Sequence, residues 1–138
     1  STAGASRRGD NMANDEVVRT LWQAFDRLDF DLAREMLHED FICEWPQSRE
    51  RIRGRENFIA VNQHYPGSWR IYILKLIAAA DEVVSEVEVE LTAENGAVRH
   101  DRAVSFFRLR DGKIAYLREY WPEPYAAPDW RSQWVEMM

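Results

Sequence analysis

The strongest constraint on the fold is a hairpin signal in the last third of the sequence. Two runs rich in Val, Phe, Leu, Ile and Tyr lie within Val98–Trp121 and flank the dipeptide Asp111-Gly112. Asp-Gly between apolar runs is typical of a β-hairpin turn, because glycine adopts a positive φ without steric cost. The sequence therefore predicts a long antiparallel pair of strands, and the other segments can be placed as its partners.

The register of this hairpin decides which side chains share a face. With a three-residue loop at 110–112, Leu109 lies opposite Lys113, and side chains alternate from there along both strands. One face then carries the pairs Phe107/Ala115, Ser105/Leu117, Ala103/Glu119 and Asp101/Trp121. The other face carries His100, Arg102, Val104, Phe106, Arg108, Ile114, Tyr116, Arg118 and Tyr120. A two-residue turn would shift one strand against the other and mix the two faces.

Helical periodicity dominates the first half of the chain. A helical stripe that Asn14 can cap is formed by Val17, Val18, Leu21, Trp22, Phe25 and Leu28. Asp29 or Asp31 caps a shorter second helix, whose inward side chains are Leu32, Ala33, Met36 and Leu37. A short strand follows at Phe41–Trp45, then a polar loop from Gln47 to Arg55, then a third helix from Glu56 to about His64.

A strand pattern dominates the second half. The run from Trp69 is apolar and ends at a turn at Asp81-Glu82, after which apolar side chains alternate with acids. The inward set is Val83, Ser85, Val87, Val89 and Leu91. Helices followed by four long antiparallel strands predict an α+β domain: three N-terminal helices packed on a curved, mostly antiparallel β-sheet, with a conical cavity between them. A short C-terminal helix starts at Pro128, and its Trp130 and Trp134 either close the cone or bury against a second subunit.

Composition limits the class of protein and its partners. The 138 residues predict one domain over residues 14–138, after a flexible N-terminal extension over residues 1–13. The net charge of −6 and the lack of a basic stripe argue against nucleic acid and against an anionic membrane surface as partners. No apolar run reaches the roughly 20 residues of a membrane-spanning helix. Cys43 has no second cysteine to pair with, which fits a reducing, cytoplasmic compartment.

Four segments together resemble a known family. They are LWQAFDRLDFDLAREMLHEDF, ICEWP, IRGRENF and FFRLRDGKIAYLREYWPEP, in that order between about Val17 and Pro124. This series resembles the SnoaL-like branch of the nuclear transport factor 2-like superfamily. Members include polyketide cyclases, ketosteroid isomerase, limonene-epoxide hydrolase, dehydratases and many proteins of no known activity. The resemblance implies a cone-shaped cavity and a homodimer through the outer sheet face, and it does not imply a reaction.

Two carboxylates are the candidate catalytic groups. Asp101 and Glu119 lie on the inward face of the predicted hairpin with Trp121, and Ala103 and Ser105 leave space beside them. In an apolar cone both cannot ionise cheaply, so one would have a raised pKa and could act as acid or base near neutral pH. The alternative is a structural carboxylate tied to Arg55, Arg102 or a backbone amide. The resemblance favours the catalytic reading, since cofactor-free members of the superfamily typically place one carboxylate in the cone.

Aromatic side chains and Ser105 are the candidate ligand-binding groups, and among them Tyr65 and Trp121 would position the substrate. Trp22, Phe25, Phe58, Tyr65 and Trp69 line either the cavity or the core, and Tyr65 is the best hydrogen-bond donor among them. Trp45 precedes Pro46, a place where ketosteroid isomerases carry their aspartate base, so the resemblance argues against steroid isomerisation here. Trp45 is then a wall of the cavity or a core residue. His38, His64 and His100 do not have the spacing of metal ligands, and neither a metal nor a cofactor is expected.

Two functions remain open at this stage. One is a cofactor-free cyclase, isomerase, hydratase or hydrolase acting on a small hydrophobic molecule that bears a carbonyl or an epoxide. The other is a module of the same fold that binds a small ligand without catalysis or serves as a dimeric interaction domain. Phe106, Tyr116 and Tyr120 on the outer sheet face favour a homodimer in either case.

Overall fold

The chain forms three helices and a single sheet, and most of the sheet follows the third helix. A computed structural model describes residues 12–138, so the predicted N-terminal extension lies outside the described residues except for its last two. Of those two, Met12 packs against the core and Ala13 is the N-cap of the first helix. The helices are α1 (Asn14–Asp26), α2 (Phe30–Glu35) and α3 (Arg55–Gln63). No helix within residues 12–138 is long and apolar enough to cross a membrane.

Six strands form one open sheet. They are β1 (Leu37–Trp45), β2 (Glu50–Arg53), β3 (Ser68–Ala79), β4 (Glu82–Thr92), β5 (Val98–Arg110) and β6 (Lys113–Tyr120), in the spatial order β2-β1-β6-β5-β4-β3. Strands β1 and β6 are parallel, and every other neighbouring pair is antiparallel. The predicted α+β architecture, with helices packed on a mostly antiparallel curved sheet, is confirmed.

Three local predictions about the helical half are wrong. The predicted polar loop from Gln47 to Arg55 contains the edge strand β2, whose residues are charged except for Ile52. An edge strand covers the core with one face only, so a single apolar side chain suffices and the sequence pattern resembles a loop. Asn14 does not cap α1; its side-chain amide donates to the carbonyl of Ala80 at 3.0 Å. Leu28 leaves the helical stripe because α1 ends at Asp26, and it is exposed.

The predicted three-residue loop of the hairpin is also wrong, yet most of its face assignment survives. Arg110 pairs with Lys113, so Asp111 and Gly112 form a two-residue turn with φ of 52° and 75°. A β-bulge follows at Ala115, and this extra residue reverses the change of face that the shorter turn causes. The remaining pairs move by two residues, and Ser105, Phe107, Leu117 and Glu119 share the inner face as predicted. Ile114 is the exception, since it is fully buried and not on the outer face.

The core lies between α1 and the inner face of β4, β5 and β6. The predicted inward sets of α1 and β4 are buried, apart from Leu28 and the half-buried Leu91. Trp22 packs edge-on against Phe107 with ring centroids 6.3 Å apart, and its indole N–H donates to the buried hydroxyl of Ser85 at 3.0 Å. Asp29 caps α2 by accepting from the backbone N–H of Leu32 at 3.1 Å, as predicted. The contacts of Trp22 hold α1 against the sheet, and they define one edge of the space between the helices and the sheet.

The C-terminal segment ends in a short 3-10 helix over Asp129–Trp134. Trp130 and Trp134 are 73% and 72% exposed, and neither contributes to the cavity below α1. Within one copy of the chain they therefore do not close the cone. Burial against a second subunit stays a prediction.

Gly67 and Gly96 are a matched pair for testing the close approach of the α3–β3 connection to β4. Their φ values are 87° and 88°, but a Cβ on Gly67 would lie 2.3 Å from the carbonyl oxygen of Thr92, whereas nothing lies within 4 Å at Gly96. We expect Gly96→Ala to cost about 1 kcal/mol of unfolding free energy, because only the positive φ is strained. Gly67→Ala should cost about 3 kcal/mol or more, because the backbone must also move.

Urea unfolding of both variants measures this difference through the transition midpoints at an unchanged slope. Equal losses of stability would show that the contact between Gly67 and Thr92 does not constrain the chain.

Candidate functional site

A cavity of about 640 Å³ lies between α1, α3 and the inner face of the sheet. Helices α1 and α3 supply Trp22, Phe25 and Phe58, and the sheet and the segments beside it supply Trp45, Trp69, Trp121 and Tyr65. Asp101 and Glu119 also line it, so nine of the ten residues predicted from sequence border one space. The tenth, Ser105, is buried behind the wall and contacts Glu119. The structure thus brings the predicted residues together without showing what they bind.

Glu119 is the deepest polar group of the cavity. Its side chain is on β6 and the residue is only 4% exposed. One carboxylate oxygen, Oε1, accepts from the indole N–H groups of Trp45 at 3.1 Å and Trp121 at 2.7 Å. The other, Oε2, accepts from the hydroxyl of Ser105 at 2.6 Å. All three donors are neutral, and within residues 12–138 no side-chain cation pairs with this carboxylate.

Burial decides the protonation behaviour of Glu119. Removal from water raises the pKa of its carboxyl above the ordinary value, and the hydrogen bonds from Ser105, Trp121 and Trp45 only partly oppose this rise. A proton is therefore bound more tightly in the folded state than in the unfolded chain. This contribution to stability is present at low pH and is lost as the pH rises through the raised pKa. Ionisation of Glu119 therefore costs the folded state stability that a neutral side chain at this position would keep.

The three donors reach Glu119 from three different segments. Ser105 is the direct cross-strand partner of Glu119 in the β5–β6 pair. Trp121 follows Glu119 by two residues, and its position is held by a bond from its backbone N–H to Oε1 of Gln47 at 2.7 Å. Trp45 ends β1, which runs parallel to β6 with Cys43 beside Leu117. Sequence reasoning singled out Trp45, Trp121 and Ser105 but not their role as donors. For Trp45 that role depends on the β1–β6 pairing, and for Ser105 on the register of β5 against β6.

Asp101 differs from Glu119 because it has a cation. The guanidinium of Arg99 donates through Nε to both carboxylate oxygens at 2.9 Å, and its terminal nitrogen lies 2.9 Å from Oδ2. The ion pair lies at the cavity wall with Arg99 largely exposed. Asp101 therefore has a cationic partner at the cavity wall, whereas Glu119 has none among the described residues.

Neither cation predicted as a tie for Asp101 reaches it. Arg55 donates to the carbonyl of Leu37 at 3.2 Å, and Arg102 bonds to Glu88 on the outer face at 3.2 Å. The residue that sequence reasoning missed is Arg99, two positions before Asp101. The strand period of two gave a signal for it, because residues 99 and 101 share a face.

The remaining indole groups are also committed to the protein. Trp69 donates to the backbone carbonyl of Phe25 at 2.8 Å and packs edge-on against Tyr65, with centroids 5.7 Å apart. Tyr65 is partly exposed at the mouth of the cavity. Cys43 is buried on β1, and burial, followed by the charges of Glu119 and Glu44, raises the pKa of its thiol well above its ordinary value. Cys43 is therefore a neutral packing residue.

The histidines are separate from this site and from one another. His38 lies against the carbonyl of Arg110, His64 against that of Ala60, and His100 beside Glu88 and Glu90 on the outer face. Among the described residues, no group of three or more His, Cys, Asp or Glu side chains is arranged to hold a metal ion.

Comparison with solved structures relates this geometry to known proteins. A proposed ketosteroid isomerase from Kribbella flavida is 28% identical, superposes with a TM-score of 0.82, and the match covers 91% of this chain and 89% of that one. A protein of unknown function from Burkholderia xenovorans, named as nuclear transport factor 2-like, is 32% identical over 91% and 94% of the two chains, with a TM-score of 0.73. An epoxide hydrolase from M. tuberculosis shares the fold at 21% identity, with a TM-score of 0.70 over 79% and 82% of the chains.

Sequence comparison agrees with the structural one. None of the curated proteins matches this chain at a significant level. The family model for the SnoaL-like domain matches residues 18–117, a span that runs from α1 into β6 and includes most of the cavity wall. Together with the relative of 32% identity, this match establishes that the chain belongs to the SnoaL-like family, with the nuclear transport factor 2-like fold.

Proposed function

We propose that this protein is a cofactor-free enzyme that binds a small hydrophobic molecule in the cavity and uses Glu119 as acid and base. The observation that carries the proposal is a buried carboxylate without a cationic partner, at the wall of an aromatic cavity. Isolation of this kind raises a carboxyl pKa above its ordinary value, which suits the group to serve as both acid and base. A structural carboxylate in a core is normally paired with a cation, as Asp101 is with Arg99.

The three hydrogen-bond donors leave one carboxylate oxygen of Glu119 available for proton transfer. Trp45 and Trp121 occupy Oε1, so Oε2, which has one bond from Ser105, keeps a lone pair for a substrate proton. With a carbonyl substrate, Oε2 takes a proton from the carbon beside the carbonyl and returns it to another position of the enolate. With an epoxide, it takes a proton from the water that attacks one ring carbon; the C–O bond at that carbon breaks, and Glu119 returns the proton to the alkoxide, so that a diol is formed. Tyr65 is placed at the mouth to donate to the substrate oxygen, and Trp121 forms a wall against its apolar body.

The names of related proteins support this reaction class. One relative is a proposed ketosteroid isomerase, one is an epoxide hydrolase, and one from Jannaschia is a proposed SnoaL-like polyketide cyclase. All of these reactions move protons next to an oxygen function without requiring a redox cofactor. Trp45 argues against steroid isomerisation, because it takes the place before Pro46 where the base of those enzymes is expected.

A binding module without catalysis is the second candidate. It is favoured by the completeness of the network: the polar atoms of Glu119 and the carboxylate of Asp101 are bonded within the chain without a ligand. In either case we propose a homodimer through the outer sheet face, where Tyr72, Leu74 and Ile77 of β3 are exposed. The single buried Cys43 fits a cytoplasmic protein.

Glu119→Gln tests the proposed role directly. Glutamine can keep the network, because its amide oxygen accepts from Trp45 and Trp121 while its amide nitrogen donates to Ser105. We expect proton exchange at the α-carbon of 2-tetralone and hydrolysis of styrene oxide to be accelerated by the native protein and to fall about 100-fold or more in the variant. Deuterium incorporation followed by NMR measures the first reaction, and diol formation measures the second.

The matched control is Glu86→Gln, the same change on the outer face of β4, where Glu86 faces Arg102. It should leave both rates unchanged. Melting temperatures verify that the two variants are folded, and we expect Glu119→Gln to melt no lower than the native protein at pH 7, because an isolated buried charge is removed. Full activity in a folded Glu119→Gln protein would remove Glu119 from the mechanism and leave the binding module.

The pH dependence of kcat/KM supplies a separate test. Because burial raises the pKa of Glu119, the rise in rate on the acidic side should lie above the ordinary glutamate pKa of 4.5. Trp45→Phe removes a donor that stabilises the anion, so this limb should move to higher pH. The other ionisable groups near the site are the neutral thiol of Cys43, the Arg99–Asp101 pair, the phenol of Tyr65 and the exposed Glu123. A limb that Trp45→Phe does not move would assign the titration to a group other than Glu119.

A further inference from the structure

The charges around the cavity do not balance. Its charged lining residues are Arg99, Asp101, Glu119 and Glu123. Arg99 and Asp101 neutralise each other in a bidentate ion pair. The two charged lining residues that remain, Glu119 and Glu123, are both acidic. Among the described residues that line the cavity, no second cation compensates them. An ionised Glu119 therefore leaves the cavity negative at its deepest point.

The aromatic walls offer a ligand mainly ring surface. Each of the four lining Trp residues uses its N–H within the protein: Trp22 to Ser85, Trp69 to Phe25, and Trp45 and Trp121 to Glu119. Polar donors for a ligand oxygen are consequently few in the interior. Ring faces carry the negative part of the aromatic quadrupole, and they attract cations of low hydration.

We propose that the ligand of this cavity carries a tertiary or quaternary ammonium group, which lies against the indole and phenyl rings and has Glu119 as its counter-ion. This inference rests on the proposed function in that both use the same cavity and the same carboxylate, and it narrows the substrate class. A buried carboxylate without a cation is costly, and a ligand that supplies the positive charge offsets that cost. The bound cation also keeps Glu119 ionised, which is the form that accepts a proton.

An organic cation fits this site better than a metal ion. Calcium requires six to eight oxygen ligands, and magnesium retains most of its water. Here Glu119 already accepts three hydrogen bonds, and the neighbouring wall is formed by rings. An alkylammonium group spreads its charge over carbon-bound hydrogens and loses little hydration on entering an aromatic cavity. A volume of about 640 Å³ also accommodates a ring or chain attached to the nitrogen.

An isosteric pair of probes tests the inference. Benzyl(2-hydroxyethyl)dimethylammonium and 3,3-dimethyl-4-phenylbutan-1-ol have the same shape, and they differ by a positive nitrogen in place of a quaternary carbon. We expect the cation to bind the native protein about tenfold or more tightly than the alcohol, measured by calorimetry and by quenching of Trp fluorescence. The preference should disappear in Glu119→Gln and persist in Glu86→Gln. Trp121→Phe should weaken the cation several-fold while changing the affinity for the alcohol little.

Several results would overturn the inference. They are equal or tighter binding of the alcohol, a preference that survives in folded Glu119→Gln, or no binding of either probe at millimolar concentration. These results are independent of turnover, since binding is measured without chemistry. Selective binding of the cation together with no exchange of 2-tetralone and no hydrolysis of styrene oxide would retain the inference and contradict the proposed enzyme. Turnover of these neutral compounds without a preference for the cation would support the proposed enzyme and contradict the inference.

Discussion

A carboxylate isolated from positive charge is the feature on which the rest of the interior depends. Glu119 is buried in an aromatic cavity and is held only by neutral donors from Trp45, Trp121 and Ser105. Neutral donors orient a carboxylate without supplying the charge that would stabilise its anion fully. The result is a group in a fixed position whose pKa is raised by burial. Pairing with an arginine, as at Asp101, would make the same position structural.

The architecture around Glu119 maintains this isolation. The buried part of the inner face of the sheet is apolar except for Glu119 and the two serines Ser85 and Ser105, which are cross-strand partners. Ser85 is used by Trp22 of α1, and Ser105 by Glu119. Each hydroxyl therefore satisfies one buried polar group of the cavity wall. Helix α1 covers one part of the inner face of the curved sheet and leaves another part open, and the cavity lies over the open part.

The comparison with relatives shows how a shared cone accommodates different chemistry. The fold is the same in a proposed ketosteroid isomerase and in an epoxide hydrolase, so the cavity alone does not determine a reaction. In this chain β1 ends in Trp45, and the buried carboxylate is on β6. The indole of Trp45 reaches across the parallel pair to the carboxylate. The carboxylate and one of its hydrogen-bond donors thus lie on two strands that are distant in sequence.

Local sequence determined those elements whose cause is local. The alternation in β4, the turn at Asp111-Gly112 and the Asp29 cap each follow from a few neighbouring residues, and the structure has all three. Side-chain period also placed Ser105 and Glu119 on the inner face, although the loop length was wrong. The bulge at Ala115 explains why: one additional residue reverses the change of face caused by a shorter turn, and no short-range signal marks it.

Tertiary structure decided what pairs with what. The parallel contact of β1 with β6 and the hydrogen bond from Trp45 to Glu119 depend on segments far apart in sequence, and the charged segment β2 is a strand because it pairs with β1. Asp101 and Glu119 are the same chemical group on the same face, and sequence treats them alike. They differ because Arg99 pairs with one, whereas the other accepts hydrogen bonds from two indole groups and has no cationic partner among the described residues. A carboxylate's protonation is set by its surroundings in space, and those exist only once the chain has folded.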